Sequence, residues 1–283
     1  MLRTNDGGSN WLAQNSGLSS HLLGVSFTDT LNGTAVGGNY ISSGYILRTT
    51  DGGISWYNQY SGSVHLNRVF FIDSSIGFVV GSSGQLLKTT NAGQNWQNIN
   101  LGTGAALRDI CFINFNDGII VCNGGLIFKT TDTGNTWLPL NSGTSNSLHA
   151  VSYYDENFIT AVGFNGIIVR STNGGLSWNL QQSGTNLDLL GISFSNAENG
   201  IAVGGDNYSF KGIVLNTSNG GINWNTQLLT SNTLTDVNYI GDGIAYICGN
   251  NGAILKTTNG GIITEVQEVS DKNTLKPENY FLT

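Results

Sequence analysis

The chain has 283 residues, a net charge of −7 and only 10 % charged residues, with 40 glycines and two prolines. No apolar run approaches the roughly 20 residues of a membrane helix, and the acidic balance argues against nucleic acid, whose phosphates require clustered Lys and Arg. Abundant Gly, Asn, Ser and Thr instead predict short strands joined by tight polar turns, an all-β chain.

The first recognisable phrase, Thr4-Asn5-Asp6-Gly7-Gly8-Ser9-Asn10-Trp11, returns from Thr49, Thr89, Thr130, Ser171, Thr217 and Thr257. Trp11, Trp56, Trp96, Trp137, Trp178 and Trp224 close six copies, at spacings of 45, 40, 41, 41 and 46 residues, and account for every tryptophan. A period of about 40–45 residues marks a propeller blade or a solenoid turn. Residues 66–99 show the elements of one unit. Leu66–Phe71 reads as a first strand, Asp73–Ser75 as a turn and Gly77–Gly81 as a second strand. Ser82–Gly84 turns the chain into a third strand, Gln85–Thr89, and the repeated phrase leads into a fourth, Asn95–Ile99. Four short antiparallel strands per unit predict a propeller blade.

First strands begin at Leu22, Leu66, Leu107, Leu148, Leu189 and Leu234. The phrase at Thr4 has no first or second strand ahead of it, and the last unit carries Thr264 in place of its tryptophan. The expected architecture is therefore six full blades plus an N-terminal half blade, a fragment of a seven-bladed parent. Residues 1–269 form the propeller and 270–283 a polar linker.

The phrase has a mechanical role in the turn between third and fourth strands. Asp6, Asp51 and Asp132 alternate with Asn91, Asn173, Asn219 and Asn259, so the position requires only an acceptor oxygen. That oxygen is expected to fold onto backbone N–H groups two residues on. Glycine three places before each Trp supplies the positive φ of the turn, and the indole is expected to pack against the next blade. A position that tolerates neutral Asn is structural rather than acidic in its chemistry. Six of the eleven basic residues (Arg3, Arg48, Lys88, Lys129, Arg170, Lys256) share one repeated site and so are dispersed. His21, His65 and His149 have no shared spacing, and Cys111, Cys122 and Cys248 show no CxxC pattern, so neither metal nor cofactor is expected. Cys122 and Cys248 read as small buried residues at the strand end that carries Gly37, Gly81 and Gly163 elsewhere.

The phrase T-x-D-x-G-x-S/T-W is similar to the Asp-box, or bacterial neuraminidase repeat. Together with Leu66…Val69-Phe70-Phe71-Ile72-Asp73, Gly77…Val80-Gly81 and Leu86-Leu87-Lys88-Thr89-Thr90, it resembles the photosystem II stability/assembly factor family over residues 2 to about 263. That resemblance implies a seven-bladed propeller that binds an assembling membrane-protein complex and catalyses nothing. The tail Lys276–Thr283 resembles the lead-in to a type IX secretion sorting domain, which implies a secreted or cell-surface protein, or a periplasmic one.

Asp-box turns crowd one rim, leaving the other for a ligand. Two second-to-third loops there are enlarged, spanning 38–45 and 205–212, and offer Tyr40, Tyr45, Asp206, Tyr208, Phe210 and Lys211 as contact residues. The alternative is a neutral insertion folded onto the blade. The third position of the first strands (Gly24, Arg68, Asp109, Ala150, Gly191, Asp236) should line a central channel with Arg108, and Arg68 with Asp109 should form a structural ion pair. A sialidase needs three arginines, and only Arg68 and Arg108 lie outside the repeated site. Other glycosidases need paired carboxylates. Asp29, Asp73, Asp117, Asp155 and Asp242 fall on the Asp-box rim, leaving Asp188 and Asp206 as one pair on the other. The expected function is a monomeric, non-enzymatic binder or scaffold for a protein or glycan; the alternative is a sialidase-like or glucan-hydrolase-like glycosidase.

Overall fold

A computed structural model describes residues 1–39, 42–206, 211–241, 243–257 and 263–268. The alternation of apolar and small polar residues folds into a two-stranded ribbon, β1 (Leu2–Arg3) with β2 (Leu12–Ala13), and six four-stranded antiparallel sheets. Blade one comprises β3 (His21–Phe27), β4 (Gly33–Asn39), β5 (Ser43–Thr49) and β6 (Tyr57–Gly62). Blade two follows as β7 (Leu66–Phe71), β8 (Gly77–Gly81), β9 (Gln85–Thr89) and β10 (Gln97–Asn100). Blade three is β11 (Leu107–Phe112), β12 (Gly118–Cys122), β13 (Leu126–Thr130) and β14 (Leu138–Asn141). Blade four is β15 (Leu148–Tyr153), β16 (Ile159–Gly163), β17 (Ile168–Ser171) and β18 (Asn179–Gln181). Blade five is β19 (Asp188–Phe194), β20 (Gly200–Asp206), β21 (Lys211–Thr217) and β22 (Asn225–Thr230). Blade six is β23 (Leu234–Gly241), β24 (Ile244–Gly249), β25 (Ala253–Thr257) and β26 (Ile263–Glu268). The chain forms two compact units, Met1–Phe115 with β1–β11 and the described residues from Asn116 with β12–β26.

Within each unit the core lies between consecutive sheets. In the first, Val36 and Ile46 of blade one pack with Leu66, Val69, Phe71, Val79 and Leu87 of blade two. In the second, Ile201, Val203 and Val214 of blade five pack with Leu234, Val237, Ala245 and Ile247 of blade six. Burying each such side chain contributes roughly 1.5–3 kcal/mol, so a single blade, with both faces apolar, depends on its neighbours. A register shift recurs just after the first-strand leucine, between Leu22/Gly24, Leu66/Arg68, Leu148/Ala150, Leu189/Gly191 and Leu234/Asp236. Such a bulge re-aims the following residue. Gly24 and Gly191 then abut the next blade's backbone: a Cβ on either would stand 3.0 Å from the Arg68 Cα or 2.8 Å from the Asp236 Cα.

The repeated turn is built differently from the two-residue return expected. The acceptor oxygen reaches the N–H four residues on: Ser55 N donates to Asp51 Oδ1 at 2.9 Å, and Ser177 N to Asn173 Oδ1 at 2.9 Å. The hinge is the buried Thr that opens the phrase. Thr49 Oγ1 accepts from Gly53 N (2.8 Å) and Asp51 N (3.3 Å) while donating to Asp51 Oδ1 (2.8 Å). With the shorter span occupied by Thr, the carboxylate closes the longer one. Two consecutive residues then take left-handed backbone, Gly52 at φ 71° and Gly53 at φ 89°; Ala92 and Thr133 hold the first of these places at 57° and 59°. The indoles also point opposite to expectation. Trp96 and Trp224 belong to the apolar clusters that their own blades share with the preceding one, which include Val36 and Ile46 for Trp96 and Ala150, Val162 and Ile168 for Trp224. Each meets its own first strand edge-on, Trp96 at 6.1 Å from Phe71 and Trp224 at 6.0 Å from Phe194.

Candidate functional site

At the box end of each blade the polar groups are consumed locally. Asp29 Oδ1 accepts from Leu31 N and Asn32 N, Asp73 Oδ1 from Ser75 N and Ile76 N, and Asp155 Oδ1 from Asn157 N and Phe158 N. The box backbone bonds that same hairpin: Gly52 N to Leu31 O, Ala92 N to Ser75 O, Gly174 N to Asn157 O and Gly220 N to Glu198 O. The hydroxyl and backbone of Ser55 hold the Asp51 carboxyl down at about 2, and those of Thr136 do the same for Asp132, also at about 2. Hydrogen bonds from Asn10, side chain first, lower Asp6, and the N–H of Leu31 leads in lowering Asp29. Such carboxylates have no proton to give near neutral pH. Asp6, Asp132, Asn91 and Asn219 repeat the four-residue return. Asn259 and Asp242 lie outside the described residues.

The opposite end of each blade is where the units differ. In blades one and five the second and third strands run to seven residues and the fourth to six, against five or fewer in blades two to four. The extra register pairs are Gly38↔Gly44 with Asn39↔Ser43, and Gly205↔Gly212 with Asp206↔Lys211. Two added residues per strand project these hairpins roughly 7 Å further. Half-buried Tyr45 lies between Gly37 and Ser61, and half-buried Asp206 stands across from exposed Lys211. Tyr40, Tyr208 and Phe210 lie outside the described residues. The short hairpins are pinned by a second turn motif that sequence reasoning missed. Buried Ser142 donates to Gly125 O at 2.6 Å, and a Cβ on Gly125 would stand 2.0 Å from Thr144 O. Its signal was the recurring Ser-Gly-Thr after the fourth strand, at 142–144 and 183–185.

The third-position residues meet in part. Arg68 Nε lies 3.2 Å from Asp109 Oδ1, with the arginine side chain 33 % exposed and the carboxylate 9 %, the ion pair expected from their equivalent places. Asp109 also accepts from Ile110 N, and Asp236 from Val237 N, both at 2.9 Å. Arg108 is half-buried, and with His21 it adds to the larger effect of burial in lowering the His65 pKa. His21, His65, Arg68 and Arg108 thus lie at one end of three consecutive first strands, a local group of basic side chains in which His65 is held neutral and Arg68 is paired with Asp109. Sequence reasoning had treated them singly; the signal was their common place at or just before the first strand. His149 instead packs at a tilt on Phe164, ring centroids 4.7 Å apart, and Asp188 Oδ1 accepts from Asn165 N at 2.9 Å.

The described residues hold no cluster of His, Cys, Asp or Glu suited to a metal. Cys122 is buried, and burial pushes its thiol up to about 12. Cys248 is exposed, not buried as expected. Its register partner is Asp236, so Gly249 rather than Cys248 occupies the strand end.

A model of the family described as photosynthesis system II assembly factor YCF48 matches residues 3–137 and 91–188. No curated protein matches the chain. Similar solved structures include YCF48 bound to D1 peptide (TM-score 0.67, 22 % identity, 88 % of this chain and 85 % of that one). The WD40 β-propeller domain of Doa1 superposes with a TM-score of 0.72 at 12 % identity, over 91 % of this chain and 85 % of that one. The GH74 enzyme of Niastella koreensis gives 0.65 at 17 %, with 86 % of this chain covering 46 % of the enzyme. Identities this low speak for the fold: an all-β propeller, with six four-stranded blades here.

Proposed function

The chain belongs to the photosynthesis system II assembly factor YCF48 family, and we propose that it works as a non-enzymatic binding propeller whose partner is a protein segment. One observation carries this reading: box-end polar groups are spent on their own turns, whereas the opposite end gathers His21, His65, Arg68 and Arg108. A partly exposed guanidinium group suits a carboxylate-bearing peptide. A solved neighbour, YCF48 bound to D1 peptide, supports a peptide partner. Tyr45 on the taller hairpin of blade one adds specificity, and the taller hairpin of blade five, with Asp206 and Lys211, is a separate contact surface in its own unit; a glycan is the second ligand class these hairpins suit. We read the β1–β2 ribbon as the outer half of a further blade, on a seven-bladed plan, and the protein as a monomer. The resemblance of Lys276–Thr283 to a sorting lead-in supports a secreted or cell-surface protein, or a periplasmic one.

The competing reading is a glycosidase, favoured by the fold likeness to the GH74 enzyme. It requires a carboxylate pair across the scissile bond. Asp188 and Asp206 share blade five, but Asp188 is already an acceptor for Asn165 N.

Titration with a panel of acidic peptides, alongside hydrolysis assays on a labelled glycan panel, separates the two. Arg108→Ala should weaken peptide capture at unchanged Tm. Capture indifferent to Arg108→Ala and Tyr45→Ala, or robust glycan turnover, would overturn the proposal.

A further inference from the structure

Three residues after the first-strand leucine stands a buried aliphatic in blades two to six: Val69, Ile110, Val151, Ile192 and Val237. Its counterpart in blade one, Val25, is 58 % exposed, with Leu23 and Phe27 exposed beside it. The contrast has a local cause. In blade two the covering atoms come from the blade before, where Val36 and Ile46 pack against Val69. Ahead of blade one stands the β1–β2 ribbon, and Arg3 fixes its place. A Cβ on Gly52 would lie 3.3 Å from Arg3 Nη2, as one on Gly220 would lie 2.7 Å from Arg170 Nη1. The ribbon therefore supplies third and fourth strands, and among the described residues no strand pairs with the other edge of β1.

Blade six, taken by itself, also has an exposed place in its second strand. Val36, Val80, Val162 and Val203, each opposite a third-position residue, are fully buried, yet the equivalent Cys248 is exposed. Tyr246 and Ile254 on the same face are half-buried.

We propose that the open face of Leu23, Val25 and Phe27, with the free edge of β1, is a docking slot for a β-hairpin of the repeat's own inner-pair chemistry. The inference rests on the blade repeat, not on the peptide-binding reading. Every other junction within a unit dictates what fits. The hairpin's second strand would pair with residues 1–4 as Gly77–Val80 pairs with Leu86–Thr89. A branched aliphatic near its end would cover Val25 as Val36 covers Val69. A small residue must close that strand, glycine in blades one and two and Cys122 in blade three, because a Cβ on Gly37 would lie 2.0 Å from His21 O and one on Gly81 2.5 Å from His65 O.

A synthetic peptide with the sequence 66–84, the first two strands of blade two, tests this when added to the full chain. Hydrogen exchange should slow about tenfold at Leu2–Arg3 and Val25–Phe27, and Tm should rise with peptide concentration. Val25→Glu, at an already exposed position, should abolish both effects without lowering the Tm of the protein alone. Absence of protection at saturating peptide, equal protection by a scrambled peptide, or a concentration-dependent dimer that covers Val25 unaided would each overturn it.

Discussion

Lys129 Nζ lies 2.6 Å from the carbonyl oxygen of Gly174, so a cation on the third strand of blade three is seated in the box turn of blade four. Arg170 repeats the gesture, donating to Ala197 O of blade five at 3.2 Å between the rings of Phe158 and Phe194. Indoles reach back and cations reach forward, and the junction is held from both sides. Lys129→Met keeps the apolar stem and removes the bond to a turn carbonyl. A hydrogen bond from a charged donor contributes about 1.5–3 kcal/mol, reduced here by partial solvent exposure to about 1 kcal/mol. Urea unfolding should show the midpoint falling with an unchanged slope; an unchanged midpoint would mean the contact holds no weight.

The buried hinge of the box turn makes a sharper prediction. Thr49→Val preserves shape but leaves Asp51 N and Gly53 N without their acceptor, at a cost of about 2–3 kcal/mol. Thr49→Ser keeps the oxygen and loses one methyl, about 1 kcal/mol. Blade four already uses serine here: Ser171 Oγ accepts from Gly175 N at 2.8 Å and Asn173 N at 3.3 Å. Thermal melts should therefore rank wild type above Ser above Val. Equal losses for Ser and Val would assign the position to packing.

The alternation of Asp and Asn in the box predicts a difference visible only in acid. Asp51 and Asp132 sit at about 2 in the fold, below the ordinary value of 3.8. Between those values the unfolded chain binds more protons, so stability rises with pH there. Their contribution is complete above about pH 5 and lost as pH falls towards 2. Asn supplies the same acceptor without titrating, as Asn91 and Asn219 do. Asp51→Asn with Asp132→Asn should leave Tm at pH 7 nearly unchanged and flatten its decline between pH 5 and 2. A slope equal to that of the wild type would place the acid sensitivity elsewhere.

Much of the architecture was legible because a repeat samples one solution many times. Seven copies of the phrase gave the turn, its positive-φ glycines and the strands around it, and Arg68 with Asp109 followed from equivalent places on adjacent strands. What escaped depended on direction and register. The bulge after Leu66 is one residue of slippage that no hydrophobic pattern announces, yet it decides which side chain faces the neighbouring sheet. The side on which an indole packs depends on how sheets lean, which composition does not encode. The grouping of His21, His65, Arg68 and Arg108 was hidden because its members are spread over more than 80 residues and converge only when first strands align.

The same register argument separates the three cysteines by reactivity. Thiolate is the reacting species, so both exposure and pKa govern the rate. Cys122 is buried with its thiol raised to about 12, and near pH 7.5 it offers neither access nor thiolate. Cys111 is half-buried, and Cys248 is exposed on the open face of blade six. Limited treatment of the native protein with a maleimide should therefore modify Cys248 first, Cys111 slowly, and Cys122 only after unfolding, as read by mass spectrometry of peptides. Cys248→Ser should remove the fast phase without changing Tm, because that side chain is exposed. A Cys248 as inert as Cys122 would mean that its face is covered in solution, and the uncovered-blade reading would fail with it.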